Sequence, residues 1–450
     1  MHKIILHLPR SQIVTTGIIS LVILVICVTA CTSVATPLPT VSPDPTATQE
    51  PAIPTATAAE LHNKPFPQHT QYASGSILPN HRTQEQLDDD VRAFYDYWKT
   101  TYLLEAGQNE NEQPLYRVAF GKDLPNKDTT VSESQGYGML IVPMMAGYDP
   151  DAQALFDGLW RFARAHPSEM DSRLMDWNVP DNESGNDSAF DGDADMAFGL
   201  LLADVQWGSQ GAINYKAEAE TLITAIFEST IGPDSRLPML GDWTDANGED
   251  FSQYTPRSSD FMLTNFRAYG AATGNPIWEE IINNSLGVMS VIQQNYSSTT
   301  GLIPDFIVMT GKNRNPEPSP ADFLEGPNDG HYYYNAGRVP LRVGSYALLY
   351  QDITSRAIVR KLSQWAESTT NGDPSVFRSG YDLQGNPLDG SDYFTTFFVA
   401  PLGVAAMNNP DQQNWLNEIY DAVYNTQEDY YEDSVTLLCL LVMSGNFWAP

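Results

Sequence analysis

Cysteine is scarce. The 450 residues hold only Cys27, Cys31 and Cys439. Cys27 falls in an apolar leader, Cys31 just after it and Cys439 in an apolar run. A chain processed at Cys31 therefore has no intramolecular disulfide available. Basic residues are also few, with 24 Lys and Arg against 56 Asp and Glu. Binding a phosphate backbone needs positive side chains, so the balance argues against nucleic acid as a partner. The seven histidines are scattered, and no pair has zinc-ligand spacing. A Gly-x-Ser-x-Gly elbow, a phosphate loop and a dinucleotide fingerprint are missing as well. No stretch shows sustained strand alternation, although the loops have room for short hairpins. Carboxylates are what the chain has in abundance.

The N-terminal region reads as processing and spacing rather than fold. Lys3 and Arg10 precede the apolar stretch Ile13 to Val28, which has the pattern of a signal peptide. Val28-Thr29-Ala30-Cys31 looks like a bacterial lipobox, with cleavage before Cys31 and lipid on its sulfur. The competing reading is an uncleaved anchor, for which the stretch is slightly short. Either way the body of the protein is expected outside the cytoplasmic membrane, as a surface lipoprotein. Residues 31–61 are dense in Pro, Thr, Ala and Ser and read as an extended tether. Residues 62–450 are enough for one large domain, expected to work as a monomer. Residues 1–30 hold two basic residues and no acid, which leaves 56 acidic against 22 basic groups and a formal charge of −34. Such a field would enrich a cationic partner. It also fits ordinary solubility outside the cell.

From Gln84 onward helical periodicity dominates. Helices are predicted over Gln84–Tyr102, Gly138–Gly147, Ala152–His166, Met196–Trp207, Lys216–Ile231 and Phe261–Tyr269. Further ones follow over Pro276–Tyr296, Gly344–Thr354, Ile358–Thr369, Phe397–Met407, Gln412–Thr426 and Ser434–Ser444. Gly-Pro and Asn-Pro clusters separate several of them. Helix pairs in this number can close into a toroid of inner and outer rings. An open solenoid is the alternative, but no repeated motif supports it.

Two acidic segments carry the chemical signal. Glu133, in Ser132-Glu133-Ser134-Gln135-Gly136-Tyr137-Gly138-Met139, leads straight into an apolar run. Burial there would raise its pKa, as a general acid working near neutral pH requires. A Glu in the first turn of a helix, favoured by the dipole, would look the same. The second segment is Asp191-Gly192-Asp193-Ala194-Asp195, also just before an apolar helical run. It resembles the opening of a calcium loop, but Met196 and Leu202 stand where an EF-hand needs Gly and Glu. An EF-hand is excluded, and a looser calcium site is not. The loops gather acids with aromatics, as in Asp176-Trp177-Asn178, Gly241-Asp242-Trp243 and Tyr332-Tyr333-Tyr334. Flat rings beside acids suit a sugar cleft, although any single ring could equally belong to the core. Paired-carboxylate chemistry remains.

Taken together, these segments resemble glycoside hydrolase family 8 over roughly residues 80–445. The run from Ala189 to Trp207 follows the family signature, departing at Phe190, usually Ser or Thr, and at Gly199, usually Ser or Ala. The Glu133 segment looks like the one that holds the family's general acid. Asn214-Tyr215-Lys216-Ala217-Glu218-Ala219 and Ser259-Asp260-Phe261-Met262 are family-like too. The resemblance implies an all-α (α/α)6 barrel with a loop-borne cleft, and hydrolysis with inversion at the anomeric carbon. It implies Glu133 as proton donor and Asp191 as the residue that holds the distorted sugar in the −1 subsite. It also implies Tyr137, Trp177, Trp243, Tyr334, Asn335 and Arg338 as substrate-binding residues, with no redox cofactor and no catalytic metal.

The third catalytic position departs from many members. They carry an Asp as base in a Tyr-Asp-Ala-x-Arg context, whereas this chain reads Tyr334-Asn335-Ala336-Gly337-Arg338. An amide cannot take a proton from water. A branch that includes chitosanases and lichenases looks the same here and uses a Glu from the preceding loop. Phe323-Leu324-Glu325-Gly326 resembles that segment, so Glu325 is the expected base, with Asp322, Asp329 and Asp260 as the other candidates. An inverting pair needs its carboxyl groups about 6.5–9.5 Å apart, to leave room for a water.

The expected activity is that of an inverting endo-β-1,4-glycosidase acting on a β-glucan of the cellulose or lichenan type. Chitosan is the alternative substrate, since the charge of the body would attract a polycation. A third possibility is a surface carbohydrate-binding protein on an inactive enzyme scaffold.

Overall fold

The computed structural model describes residues 63–180 and 186–450. The leader, Cys31 and the tether lie outside the described residues. Among the described residues twelve α-helices follow one another, with short strands only in the connections: α1 Gln84–Tyr102, α2 Ser132–Met144, α3 Ala152–Ala165, α4 Phe190–Trp207, α5 Tyr215–Thr230 and α6 Leu263–Thr273. The second half supplies α7 Ile277–Asn295, α8 Val339–Tyr350, α9 Ile353–Thr370, α10 Thr396–Ala406, α11 Gln413–Val423 and α12 Tyr430–Met443. All twelve predicted helices are present. The hairpins for which the loops had room are there too: β1 Leu103–Gln108 pairs with β2 Pro114–Val118, and β5 Ile307–Thr310 with β6 Asn315–Pro318. A two-residue pair, β3 Thr130–Val131 with β4 Asn178–Val179, sits immediately before α2.

The helices alternate between two burial patterns, and that alternation builds the architecture. Every residue of α2 except Glu133 is buried, and every residue of α10 is buried. A helix apolar on all sides belongs inside other helices. By contrast, α11 buries Trp415, Leu416, Ile419, Tyr420 and Val423, a single stripe at helical spacing, and leaves the rest to solvent. The even-numbered helices form a closed inner ring, α2 against α4, α4 against α6, and so on round to α12 against α2. The odd-numbered helices pack outside it, for example α1 on α12, α5 on α4 and α9 on α8 and α10. The result is an all-α (α/α)6 barrel, as expected.

Local signals set the outer helices. Thr83 and Gln86 make a reciprocal capping box at α1, and the Asn214 and Asp352 side chains cap α5 and α9. Four inner helices begin four to six residues earlier than periodicity predicts, at Ser132, Phe190, Val339 and Tyr430 rather than at Gly138, Met196, Gly344 and Ser434. Polar residues interrupt the apolar period in the first turns of α2 and α4, and Glu432 and Asp433 do so in α12. Glu133, Asp191 and Tyr430 in these turns face the candidate site.

Candidate active site

The N-terminal ends of the inner helices converge. The backbone N–H of Ser132 donates to Trp177 O at 2.9 Å, so the β3–β4 pair fixes where α2 starts and presents Glu133 in its first turn. Asp191 occupies the first turn of α4. Ser258–Asp260 form one 3-10 turn ahead of α6, and Ala336–Arg338 another ahead of α8. Tyr430 and Tyr431 open α12. Orphan N–H groups and dipoles at this end favour negative charge.

Arg338 ties the carboxylates together. Its Nη1 donates to Glu133 Oε2 at 2.6 Å and to Asp191 Oδ2 at 2.7 Å. Its Nη2 donates to Ser259 Oγ at 2.9 Å and to Asn335 Oδ1 at 3.1 Å. The Asn335 amide nitrogen in turn donates to Glu325 Oε2 at 2.8 Å. Three hydrogen bonds thus run from Glu133 to Glu325 through Arg338 and Asn335. Arg257 braces the other side, 3.3 Å from Glu325 Oε1 and 3.7 Å from Asp191 Oδ2. The loop that bears Asn335 is held by Asp305, whose carboxylate accepts from the N–H groups of Tyr333, Asn335 and Ala336 at 2.7–3.1 Å.

Environment separates the two acids that share Arg338. Burial lifts the Glu133 carboxyl to about 7, against the pull of Arg338 and of the hydrogen bond donated by Tyr430 at 2.6 Å. Asp191 also feels burial as an upward push, but Arg338 and Arg257 outweigh it and hold the group below its usual range. One carboxyl can carry a proton near neutral pH while its neighbour stays charged. That division suits a general acid beside a fixed anion. The Glu133 side chain keeps 17 % of its surface exposed and that of Glu325 20 %, so both remain accessible.

The three aspartates of α4 do different work. Asp193 points away from the site, accepts from Met175 N–H at 2.9 Å, and is pushed well up by burial. Asp195 accepts both Arg342 Nη groups, at 2.8 and 2.5 Å. Among the described residues, no group of three or more His, Cys, Asp or Glu side chains could hold a metal ion.

A family comparison now has a site to refer to. The model of the glycosyl hydrolases family 8 matches residues 88–445. The chain belongs to that family. It is 43% identical to a beta-glucanase of Niallia circulans over 400 residues, which span 88% of this chain and 94% of the relative. An apo beta-1,3-1,4-glucanase from Paenibacillus sp. X4 superposes with a TM-score of 0.80 at 42% identity, covering 86% of this chain and all of that one. A family 8 xylanase from Teredinibacter turnerae shares the fold alone, at 20% identity, a TM-score of 0.67 and coverage of 82% and 95%. The protein is a glycosyl hydrolase.

Within this family 8 site the structure brings Glu133, Asp191, Glu325, Asn335, Arg338 and Tyr137 into one network. Three of the residues expected to bind substrate are buried within this network. Tyr137 is fully enclosed, with its hydroxyl 3.4 Å from Arg338 Nη1, so it has no face on which a sugar could stack. Asn335 and Arg338 are buried, with polar atoms committed to Glu325, Glu133, Asp191 and Ser259. Asn335 and Arg338 hold Glu325, Glu133 and Asp191 by hydrogen bonds, and Tyr137 lies against Arg338. The half-buried rings adjoin the network: Trp177 beside Ser132, Trp243 beside the start of α4, and Tyr334 next to Asn335. Tyr334 stacks on Phe397 at 5.3 Å, and its hydroxyl lies 2.8 Å from that of Tyr393.

The other candidate bases are differently placed. Asp329 is buried and accepts from the N–H groups of Leu324, Glu325 and Gly326, which shapes the loop. Asp322 is exposed. Asp260 has no exposed surface, and burial lifts it to about 7 against Arg257. The sequence reading missed Tyr430, Arg257 and Asp305. Arg257 stands two residues before the family-like Ser259-Asp260 pair. Tyr430 opens a helix just ahead of an apolar run, where Glu133 and Asp191 also sit.

Proposed function

We propose that the protein is an inverting endo-β-1,4-glucanase that cuts within β-glucan chains of the cellulose or lichenan type. The observation that carries this reading is the Glu133–Arg338–Asn335–Glu325 relay, which sets two accessible carboxyl groups in one network with a charged Asp191 between guanidinium groups. The glucanase names of relatives more than 40% identical support the substrate class.

In this reading Glu133 gives its proton to the glycosidic oxygen as the bond to the anomeric carbon breaks. Glu325 takes a proton from a water that attacks the opposite face of that carbon, and the product carries inverted configuration. Asn335 and Arg257 donate to Glu325 and orient it. The Asp191 anion stabilises positive charge that develops on the sugar ring in the −1 subsite. Trp177, Trp243 and Tyr334 offer rings on which neighbouring sugars stack. The enzyme works as a monomer, held outside the cytoplasmic membrane by lipid on Cys31. Changing Cys31→Ser should release it from the membrane fraction.

The test is reducing-end release from barley β-glucan, carboxymethylcellulose, xylan and chitosan, with Glu133→Gln and Glu325→Gln alongside. Glucan hydrolysis lost by about 10²-fold or more in each variant, with the α-anomer appearing first by NMR, supports the reading. A retained anomeric configuration, or near-normal turnover by Glu325→Gln, overturns it. Activity on chitosan alone, falling steeply with salt, would transfer the mechanism to a polycation. Saturable binding of glucan without new reducing ends would leave a binding protein.

A further inference from the structure

Glu325 stands on a loop whose internal hydrogen bonds fix its shape but not its seat on the barrel. Asp329 gathers the N–H groups of residues 324–326, and Asp322 N–H donates to Gly326 O at 2.8 Å. The far end of the loop is tied down by Phe306 N–H, which donates to Asp329 O at 2.9 Å. The near end, which carries Glu325, is held by Asn335 and Arg257 at the carboxylate, by Ser319 N–H donating to Phe306 O at 3.0 Å, and by Phe323 packing beneath.

Phe323 lies between two rings. It meets Phe251 edge-on, with centroids 5.2 Å apart, and Phe306 at a tilt, 5.7 Å apart. Phe251 in turn meets Trp243 edge-on at 5.4 Å. On the other side the Arg257 guanidinium lies 5.5 Å from the Phe306 ring, and Arg257 reaches both Asp191 and Glu325. An unbroken line of side chains therefore runs from Trp243 to the guanidinium that braces two site carboxylates. Aromatic pairs prefer edge-on or tilted contact at centroid separations of about 4.5–7 Å, and all three ring pairs fall in that range. Turning one ring displaces the next.

We propose that Phe323 is a positioning residue that couples sugar stacking at Trp243 to the placement of Glu325. The proposal rests on the reading of Glu325 as base and Trp243 as a stacking surface. A glucan long enough to cover Trp243 immobilises that ring, and through Phe251 and Phe323 it steadies the loop that presents the base. Binding at a distance is thereby converted into turnover rather than affinity.

The experiment is a double-mutant cycle in the intact protein with Phe323→Leu and Trp243→Ala on barley β-glucan, with the melting temperature of each variant recorded. Phe323→Leu keeps an apolar group but removes the ring. It should lower kcat about tenfold while KM stays within about twofold, because misplacing a catalytic group costs turnover. Phe323→Tyr should restore most of the rate. With the line already cut, adding Trp243→Ala should cost no further kcat. Multiplying losses in the double variant, or a Phe323→Leu enzyme with normal kcat and only a lowered melting temperature, would overturn the coupling. Glu325→Gln in the same assay separates the two readings. If it is inactive while the two ring variants act independently, only the coupling falls; if it turns over normally, both fall.

Discussion

Opposed influences set the Glu133 carboxyl, and their balance can be moved by one atom. Burial raises its carboxyl to about 7, and the hydrogen bond from Tyr430 favours the charged form and pulls it back. Removing the hydroxyl with Tyr430→Phe leaves burial less opposed, so the Glu133 pKa should climb. The general acid must be protonated to act, so activity is lost on the alkaline side as Glu133 ionises. Tyr430→Phe should move that alkaline limb up by about one pH unit, the size expected for one hydrogen bond to a charged group. The pH dependence of kcat/KM checks it, and a limb that stays put or moves down would remove Tyr430 from the acid's environment. Glu133 and Asp191 were legible in the sequence because each opens an apolar helical run. Tyr430 opens one as well, but an aromatic residue at a helix start carries no chemical signature. Arg257 was illegible for a different reason: its partners, Asp191 and Glu325, lie 66 and 68 residues away in the chain.

Among the elements, the twelve helices were readable from their period, and their first turns at the site were not. In α2, α4 and α12 those turns hold polar groups or aromatics where periodicity expects an apolar face, so local rules fail where function takes over. The same helices explain a departure from the family pattern. Gly199 stands where Ser or Ala is usual, and a Cβ there would lie 2.5 Å from Met139 O and 2.9 Å from Met139 C on α2. The backbones of α2 and α4 touch, and no side chain can yield to relieve the overlap. Gly199→Ala should therefore destabilise the protein by about 1–3 kcal/mol, the usual result of overpacking. Urea unfolding measures it, and an unchanged midpoint would mean the two helices separate freely. Gly192 makes the same close approach to Ser132 in the first turn of α4. Gly192→Ala should lose activity as well as stability, because the displaced turn carries Asp191.

At the scale of the whole molecule, the acidic balance is not all surface. Burial raises Glu133, Asp260 and Glu432 to about 7 and Asp305 to about 8, and it also lifts Asp90, Asp193, Asp329 and Asp433. In the unfolded chain each would titrate near its ordinary value of about 4. Between those limits the folded state binds more protons than the unfolded one, so stability falls as pH rises. The contribution is whole below about pH 4 and is lost as pH climbs through 7 to 8. Asp171 works in the opposite sense. Hydrogen bonds from Arg173 hold it at about 2, so its contribution is kept above its ordinary value and lost as pH falls toward 2. Asp191, also held low, acts likewise. The opposed slopes place maximum stability in mild acid. The melting temperature at constant ionic strength should fall steadily from pH 5 to pH 8.5, and a flat or rising curve would contradict the burial of these groups as protonated acids. Asp260→Asn supplies the internal control. The amide keeps the shape of the protonated acid and cannot ionise, so the variant should show a shallower fall than the parent over the same range. An equal fall would assign the slope to the other raised carboxyl groups, and an equal fall from a melting temperature lowered across the whole range would mean that Asp260 is charged beside Arg257 and stabilises the fold through that pair.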